Sequence, residues 1–447
     1  MGVGILSLIV YIAAIIIWNV FMKRNIGEAM VVSWLIVVAL GGGKMVSLFT
    51  DSLLFAATQE TLFAAMAFAY MAAIMKKTGL VYRLVDILNS IFGKIAGGAA
   101  YIATIASALF GMISGSGSGN AASVGTITIP WMINSGWKDR MAATIVAGNA
   151  GLGIAFPPCS TMFLLLAIPI VSEQVNPGDF YLALFAAGIW NLLYRMILVR
   201  YYVKRDGVAP IPEEMRKPLS QTLAAGWTSL LMFLGIIIPL VLTMGPVSEF
   251  LKASAFGSKA LKSISLIVWI PILITWISIF EGWKSLPKSV SEWMDFNRGT
   301  MKSFALTGAV LFFAFAAGRV MTKLGLGKEM TDVLASLDVP SWLMILLVGI
   351  IVTLIAGPLS STATTVAIGA VAYSALTMAG VDPVTAVVLI CVFCSTEGAS
   401  PPSSAPIFIA SGLAQVNPAV TFRPLIFHYV IPTVFIGLLI GIGVLPI

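Results

Sequence analysis

The sequence predicts an all-α, polytopic membrane protein built as an inverted repeat, with two re-entrant helical hairpins and two broken helices. Three observations lead to this prediction: the composition, the length of the apolar runs and an internal duplication. Hydrophobic residues make up 59% of the 447 residues, charged residues make up 10%, and the mean hydropathy is +1.00. That leaves too little polar surface to solvate a globule of this size, so most of the chain is expected to lie in lipid.

The apolar runs have the length of membrane spans. Residues 3–22 are long enough to cross a hydrocarbon core of about 30 Å, and Lys23 and Arg24 follow at once. A cleaved signal peptide would carry its charges before the apolar run, so this run is interpreted as the first span. Further spans are predicted near 29–48, 56–75, 141–171, 180–199, 225–244, 263–280, 303–320 and 424–445.

The basic residues give the orientation. The net charge is +7, but Lys and Arg lie in short loops rather than on one face or in a tail, so no nucleic-acid partner is expected. Cytoplasmic loops of membrane proteins are enriched in both residues. With Lys23 and Arg24 inside, most other basic residues also fall inside, provided that 98–136 and 341–380 each enter and leave on the same side. These two regions are therefore predicted to be hairpins.

The chain also contains an internal duplication. The pairs that share an offset of 244 positions include Pro157-Pro158 with Pro401-Pro402, Ser116 with Ser360 and Gly136 with Gly380. On the charge map the first copy enters from the cytoplasm and the second from outside, which makes an inverted repeat, the usual build of a secondary transporter. The predicted divisions are N-terminal scaffold helices (1–97), a first transport repeat (98–178), scaffold helices with cytoplasmic linkers (179–340), a second transport repeat (341–421) and a C-terminal transmembrane helix (422–447).

Two kinds of helix-breaking segment are expected to provide the function. Each hairpin has a tip rich in Gly, Ser or Thr at membrane depth. Unpaired backbone groups are costly in hydrocarbon, so such tips persist where protein buries them or where they line a wet cavity. Each Pro-Pro pair leaves free carbonyls on one side of a break, which suit Na⁺, and a helix N-terminus on the other, which suits a carboxylate. The alternative is that these residues serve only helix packing.

We therefore expect an anionic solute between the two halves, with Na⁺ as the coupling ion at two sites or more. The candidate binding residues are Ser114, Ser116, Ser118, Asn120, Asn149, Gly153, Pro157, Pro158, Ser160, Gly357, Ser360, Ser361, Thr362, Thr364, Thr396, Glu397, Gly398, Pro401 and Pro402. Those expected to hold Na⁺ are Ser114, Ser116, Gly153, Ser360, Thr396 and Gly398. Glu397 has three open interpretations: a proton carrier, a cation ligand or an acceptor of neighbouring amides.

Six stretches then show a family pattern: 108–116, 126–130, 154–158, 380–383, 400–402 and 410–414. In them the chain resembles the large membrane subunit of tripartite ATP-independent periplasmic (TRAP) transporters. The resemblance implies an elevator-type fold of the ion-transporter superfamily, Na⁺ at both hairpins and no organic cofactor. It also implies two protein partners in a bacterial or archaeal inner membrane, a small four-helix membrane subunit and a periplasmic binding protein that delivers an organic acid. The second tip lacks the acid usual in the dicarboxylate group, so the substrate stays open.

Three alternatives remain open at this point. An autonomous Na⁺- or H⁺-coupled organic-anion symporter of similar architecture would need no binding protein. A channel would need a continuous polar pore. An intramembrane enzyme is disfavoured because the sequence has no His/Cys/Asp cluster, no paired intramembrane carboxylates and no Ser-Lys arrangement, and no catalytic residue is predicted.

Overall fold

The computed structural model describes residues 2–243, 245–254, 257, 264–326, 329, 339–357, 360–401 and 404–447. Throughout these ranges the chain is helical or irregular, with no β-strand. Five stretches within them are long and apolar enough to cross a bilayer, so the chain is a multi-pass membrane protein. The α-helices are Val3–Ile16, Ile26–Ala39, Met45–Ala57, Glu60–Lys77, Leu80–Phe92, Gly98–Ser114, Gly117–Asn134, Asp139–Ala150, Ser160–Leu166, Pro169–Ser172, Pro177–Asp206, Leu219–Gly226, Leu234–Thr243, Gly245–Ala253, Leu266–Glu281, Val290–Lys323, Ser341–Ala356, Ser361–Met378, Pro383–Cys394, Ala405–Leu413, Ala419–Leu425 and Ile431–Gly441.

Hairpin 1 consists of the helices Gly98–Ser114 and Gly117–Asn134. Gly115 has a φ of 60°, in the left-handed region that favours glycine, and Ser116 is extended, so the chain reverses within two residues. The Ser116 side chain accepts a hydrogen bond from the Gly119 amide at 3.1 Å and so caps the second helix. The first predicted tip is therefore a true turn between two helices.

Hairpin 2 repeats this plan with the helices Ser341–Ala356 and Ser361–Met378. The Ser360 side chain accepts a hydrogen bond from the Ala363 amide at 3.3 Å, which is the same cap one repeat later. Residues 358–359 of the predicted tip lie outside the described residues. The shared cap shows that the duplication seen in the sequence is also a duplication of backbone structure.

Each hairpin leads into a broken helix through a glycine, Gly136 or Gly380, with a φ of 88°. The broken helices, numbered 1 and 2, are Asp139–Ala150 with Ser160–Leu166, and Pro383–Cys394 with Ala405–Leu413. A short 3₁₀ turn follows the first segment of each, and the chain is then non-helical at Pro157, Pro158 and Pro401. The predicted hairpins and broken helices are thus confirmed.

Protein encloses broken helix 1 on nearly all sides. Buried residues make up 94% of the apolar part of Asp139–Leu166, against 44% for Pro177–Asp206 and 39% for Ala419–Gly441. Interrupted backbone is thereby kept away from lipid, as its unpaired amides and carbonyls require. The two breaks also pack on each other, because a methyl group at Gly151 would overlap the carbonyl of Ser395.

Two predicted spans differ from the structure. The span predicted at 29–48 is not a straight helix, because Ile26–Ala39 and the helix that follows meet at a bend of 117°. Three successive glycines interrupt this apolar run, and Gly42 has a φ of 54°, a turn that hydropathy does not register. The span predicted at 303–320 is part of a longer helix, Val290–Lys323, which begins 13 residues earlier.

Helix packing joins the first half of the chain to the second half. The long helix Pro177–Asp206 packs against the first break and against Pro383–Cys394 of broken helix 2. Ile26–Ala39 and Glu60–Lys77 pack instead against Val290–Lys323. The predicted boundaries between scaffold and transport parts stay a prediction.

Candidate solute and ion site

One buried carboxylate joins the two hairpin tips. The Gly117 amide donates to Glu397 Oε1 at 3.0 Å, and the Ser361 amide donates to Glu397 Oε2. Gly117 and Ser361 begin the second helix of their hairpins and are 244 positions apart, so they are equivalent in the two repeats. The carboxyl group lies between two helix N-termini, whose dipoles favour its ionised form. The amide-acceptor interpretation of Glu397 is the one that this geometry supports directly.

The close approach of this carboxylate depends on a glycine. A methyl group at Gly117 would overlap Glu397 Oε1. Glu397 is only 6% exposed, and a buried carboxylate needs hydrogen-bond donors to offset its lost hydration. Because glycine has no side chain, the Gly117 backbone amide of hairpin 1 is able to donate a hydrogen bond to an acid of the second repeat.

A cavity of about 300 Å³ lies beside the tips. The tips and the breaks contribute to its lining Gly115, Ser116, Ser118, Pro158, Ser160, Ser360, Ser361, Thr362 and Glu397. Its apolar lining residues include Ile26, Phe68 and Leu306, which belong to helices outside the two repeats. Among the described residues that line the cavity, Glu397 is the charged one. The volume suits a small organic solute.

Several hydrogen-bond donors face or border this cavity. The Ser160 hydroxyl lies 3.3 Å from the Gly115 carbonyl and 3.4 Å from Thr362 Oγ1, so it connects the first break to both tips. Ser118 and Thr362 are the second residues of their helices, and amides at this position have no partner within their own helix. Amides and hydroxyls of this kind are suited to an oxyanion.

Two equivalent oxygen atoms next to the tips have no hydrogen-bond partner in the part of the chain that the structure describes. They are Asn120 Oδ1 and Thr364 Oγ1, which are 244 positions apart and belong to fully buried residues. The Asn120 amide group donates to the carbonyls of Ser107 at 2.9 Å and Ala150 at 2.8 Å, which fixes the direction of its oxygen. A buried acceptor without a donor is satisfied by a cation as well as by a hydrogen bond.

Other predicted site residues form the breaks themselves. The Thr396 hydroxyl donates to the Phe393 carbonyl at 2.6 Å. Methyl groups at Gly153 and Gly398 would crowd neighbouring backbone atoms, so both glycines allow close packing of the breaks. Binding of Na⁺ by the six residues chosen from the sequence stays a prediction.

The prolines lie where the sequence predicts the interruptions. Pro157 and Pro158 occupy the first break, and Pro158 lines the cavity. Pro401 occupies the second break, and Gly357 ends the first helix of hairpin 2. Two parts of the predicted site fall outside the description, Pro402 and the side chain of Ser114.

One functional candidate was missed by the sequence analysis, the fully buried Arg195 of Pro177–Asp206. Its guanidinium donates to the Gly148 carbonyl and to Asn149 Oδ1, the latter at 3.3 Å. The Asn149 amide group in turn donates to Thr104 Oγ1 at 2.9 Å. The predicted site residue Asn149 therefore belongs to a network that joins hairpin 1, broken helix 1 and the long helix. A charged residue inside an apolar span was the available signal.

Comparisons with known proteins agree with this architecture. The solved structure of the Neisseria gonorrhoeae efflux pump MtrF is similar with a TM-score of 0.65, covering 90% of this chain and 84% of that one at 14% sequence identity. At this identity the likeness concerns the fold alone. It agrees with the predicted all-α, polytopic membrane fold.

Sequence relatives identify the family. The C4-dicarboxylate TRAP transporter large permease protein DctM of Pseudomonas aeruginosa is 26% identical over 367 residues, which are 81% of this chain and 80% of that protein. The isethionate TRAP transporter permease protein DctMQ of Oleidesulfovibrio alaskensis is 23% identical over 340 residues, 76% of this chain and 50% of that protein. The family model described as "Tripartite ATP-independent periplasmic transporter, DctM component" matches residues 5–447. The chain therefore belongs to the DctM family of TRAP transporter large permeases.

Proposed function

We propose that this large permease takes up a small organic anion together with Na⁺ by an elevator movement in a bacterial or archaeal inner membrane. In this proposal a periplasmic binding protein delivers the solute, and a small four-helix membrane subunit and the surrounding lipid support the permease. The substrates named for the two relatives, a C4-dicarboxylate and isethionate, are both organic anions, which supports this substrate class. The proposal includes no catalytic chemistry.

The observation on which the proposal rests is the meeting of two equivalent helix N-termini at one cavity. Each N-terminus gives its first amide to Glu397 and has its second residue, Ser118 or Thr362, in the cavity lining. The Ser160 hydroxyl adds a third group able to donate. Such a set is able to bind an oxyanion without a lysine or an arginine, and the described lining contains neither.

Glu397 gives a physical reason for coupling to Na⁺. Both of its oxygens accept amide protons, so the proposal takes this side chain as ionised. A solute carboxylate about 5 Å away would be repelled by about 3 kcal/mol at an effective dielectric constant of about 20. A Na⁺ ion at a comparable distance offsets that repulsion. The anion is therefore expected to bind tightly only together with its cation.

Asn120 Oδ1 and Thr364 Oγ1 are the positions proposed for the coupling ions, because each is a buried oxygen without a partner among the described residues. Thr364→Val removes one such oxygen and keeps the side chain's shape. We expect Na⁺ binding to weaken about tenfold or more, as for the loss of a hydrogen bond to a charged group. Thr377→Val is the matched control, because the Thr377 hydroxyl only donates to carbonyls of its own helix.

Na⁺ binding is measurable without knowing the solute. Purified protein is titrated with Na⁺ or with choline, and the fluorescence of its 11 tryptophans is recorded. We expect a saturable response to Na⁺ that Thr364→Val weakens and Thr377→Val leaves unchanged. Equal responses to Na⁺ and choline in the wild type would contradict the proposed ion sites.

Uptake into proteoliposomes tests the transport part. The permease is reconstituted with its small subunit and binding protein, and uptake of C4-dicarboxylates and isethionate is followed with an inward Na⁺ gradient or an equal K⁺ gradient. We expect uptake of an organic anion that needs both Na⁺ and the binding protein. Uptake that is equal in K⁺ would refute Na⁺ coupling, and uptake without the binding protein would favour an autonomous symporter.

A further inference from the structure

A second cavity, remote from the hairpin tips, is rimmed by three arginines. It has a volume of about 660 Å³ and lies where the start of Asp139–Ala150, the end of Pro177–Asp206 and the helix Ala419–Leu425 meet. Each of these elements contributes one arginine, and they are Arg140, Arg205 and Arg423. The positive-inside rule assigns this face to the cytoplasmic side of the membrane.

The charge of this cavity is not balanced within the protein. Asp206 is the acid in its lining, and its carboxylate pairs with Arg205 at 2.7 Å. Neither Arg140 nor Arg423 has a carboxylate partner within the described ranges. Two guanidinium groups from different elements thus face one cavity without a salt-bridge partner among the described residues. Guanidinium groups donate two parallel hydrogen bonds to a phosphate or a carboxylate group, so an anion of this kind fits here.

An apolar path leads away from the arginines. Phe427 lines the cavity and is 57% exposed, and Ile431 and Phe435 follow at four-residue spacing with 51% and 55% exposure. A free anion gains nothing from these side chains, whereas an acyl chain packs against them. The cavity is also larger than a single phosphate group requires, which leaves room for a glycerol headgroup.

We propose that this cavity binds the phosphate headgroup of an anionic glycerophospholipid from the cytoplasmic leaflet. Arg140 and Arg423 hold the phosphate, and one acyl chain lies along Phe427, Ile431 and Phe435. Basic pockets between membrane helices on the cytoplasmic side attract anionic lipids in this way. The lipid would contact the first repeat and the C-terminal part of the chain together. This inference depends on neither the solute nor the coupling ion.

Native mass spectrometry of the detergent-purified full chain tests the site. The protein is titrated with phosphatidylglycerol, with the zwitterionic phosphatidylethanolamine and with glycerol 3-phosphate. We expect preferential retention of phosphatidylglycerol, weakened about fivefold in Arg140→Gln or Arg423→Gln and about 25-fold in the double variant, at about 1 kcal/mol per basic residue. The control Arg298→Gln removes an exposed arginine that is paired with Asp295, and its lipid binding should match the wild type.

Three results would overturn the proposal. The first is equal retention of the two lipids by the wild type. The second is wild-type phosphatidylglycerol binding by the Arg140→Gln, Arg423→Gln double variant. The third is displacement of phosphatidylglycerol by an equal concentration of glycerol 3-phosphate, which would make this a site for a soluble phosphate rather than a lipid. Both arginines are exposed, so the lipid-free double variant should keep the wild-type unfolding temperature. If the double Gln variant unfolds at a lower temperature, the Arg140→Lys, Arg423→Lys double variant is used instead. Phosphatidylglycerol binding by the Lys variant that is no tighter than binding by the Gln variant would also refute the site.

Discussion

Replacing Glu397 with Gln removes the charge between the tips and keeps the size of the side chain. In the proposed mechanism, an anionic solute about 5 Å from the ionised Glu397 is repelled by about 3 kcal/mol in the absence of Na⁺, which corresponds to roughly a hundredfold in the dissociation constant. Glu397→Gln also turns an NH₂ group toward one of the two tip amides, at a cost of about 1–3 kcal/mol. That second effect is present with and without Na⁺. The ratio of the solute's dissociation constant without Na⁺ to that with Na⁺ therefore isolates the effect of the charge.

Equilibrium binding of radiolabelled solute to the purified protein, in Na⁺ or in choline, measures this ratio. We expect about a hundredfold difference in the wild type and a ratio near one in Glu397→Gln. Glu397→Asp is the matched control, because it keeps the charge but is too short to accept from both tip amides. The affinity of Glu397→Asp for the solute should fall in both buffers, while the ratio of its dissociation constants in choline and in Na⁺ stays high. A wild-type ratio in Glu397→Gln, or a lost ratio in Glu397→Asp, would refute the reasoning.

Two further predictions concern the tips. Ser116→Ala combined with Ser360→Ala removes both helix caps, each worth about 1 kcal/mol. The double variant should show weaker Na⁺ activation of uptake. Unchanged activation would show that neither tip belongs to an ion site. Gly117→Ala places a methyl group on Glu397 Oε1 and should lower the unfolding temperature and slow uptake. Gly119→Ala adds a methyl group that only makes ordinary contact with Ser116, so it should resemble the wild type in both assays. Equal effects of the two glycine substitutions would contradict the close approach of the carboxylate.

The repeated architecture was predictable because helix-breaking residues report directly on the backbone. Serines, glycines and prolines that recur at one offset within apolar runs predict a tip or a break wherever they occur, and the structure has tips and breaks at these positions. The contact between Gly117 and Glu397 was not predictable in this way. The two residues are 280 positions apart and meet only because two oppositely inserted halves converge. Sequence spacing contains no information on that meeting.

Two other features were missed for different physical reasons. The bend after Ile26–Ala39 lies within an apolar run, and hydropathy sums are insensitive to the direction of the chain. Arg195 lies in a helix that is long and apolar enough to be read as an ordinary span. Its importance comes from its acceptors, Gly148 and Asn149, which another part of the chain provides. The charge of Arg195 was visible in the sequence, but the partners of its guanidinium, like the direction of the chain after Ile26–Ala39, are tertiary information.

The two repeats differ in their chemistry at the position that Glu397 occupies. The equivalent residue, 244 positions earlier, is Gly153, and a side chain there would overlap the backbone at Gly111. The first half therefore has no room for a second carboxylate, and one acid accepts from both helix N-termini. In the proposed mechanism the inverted repeat provides two equivalent ion positions, at Asn120 and Thr364, but only one negative charge between them. An ion bound in either half then changes the potential at the same cavity, so the binding of each ion and of the anionic solute must depend on the others.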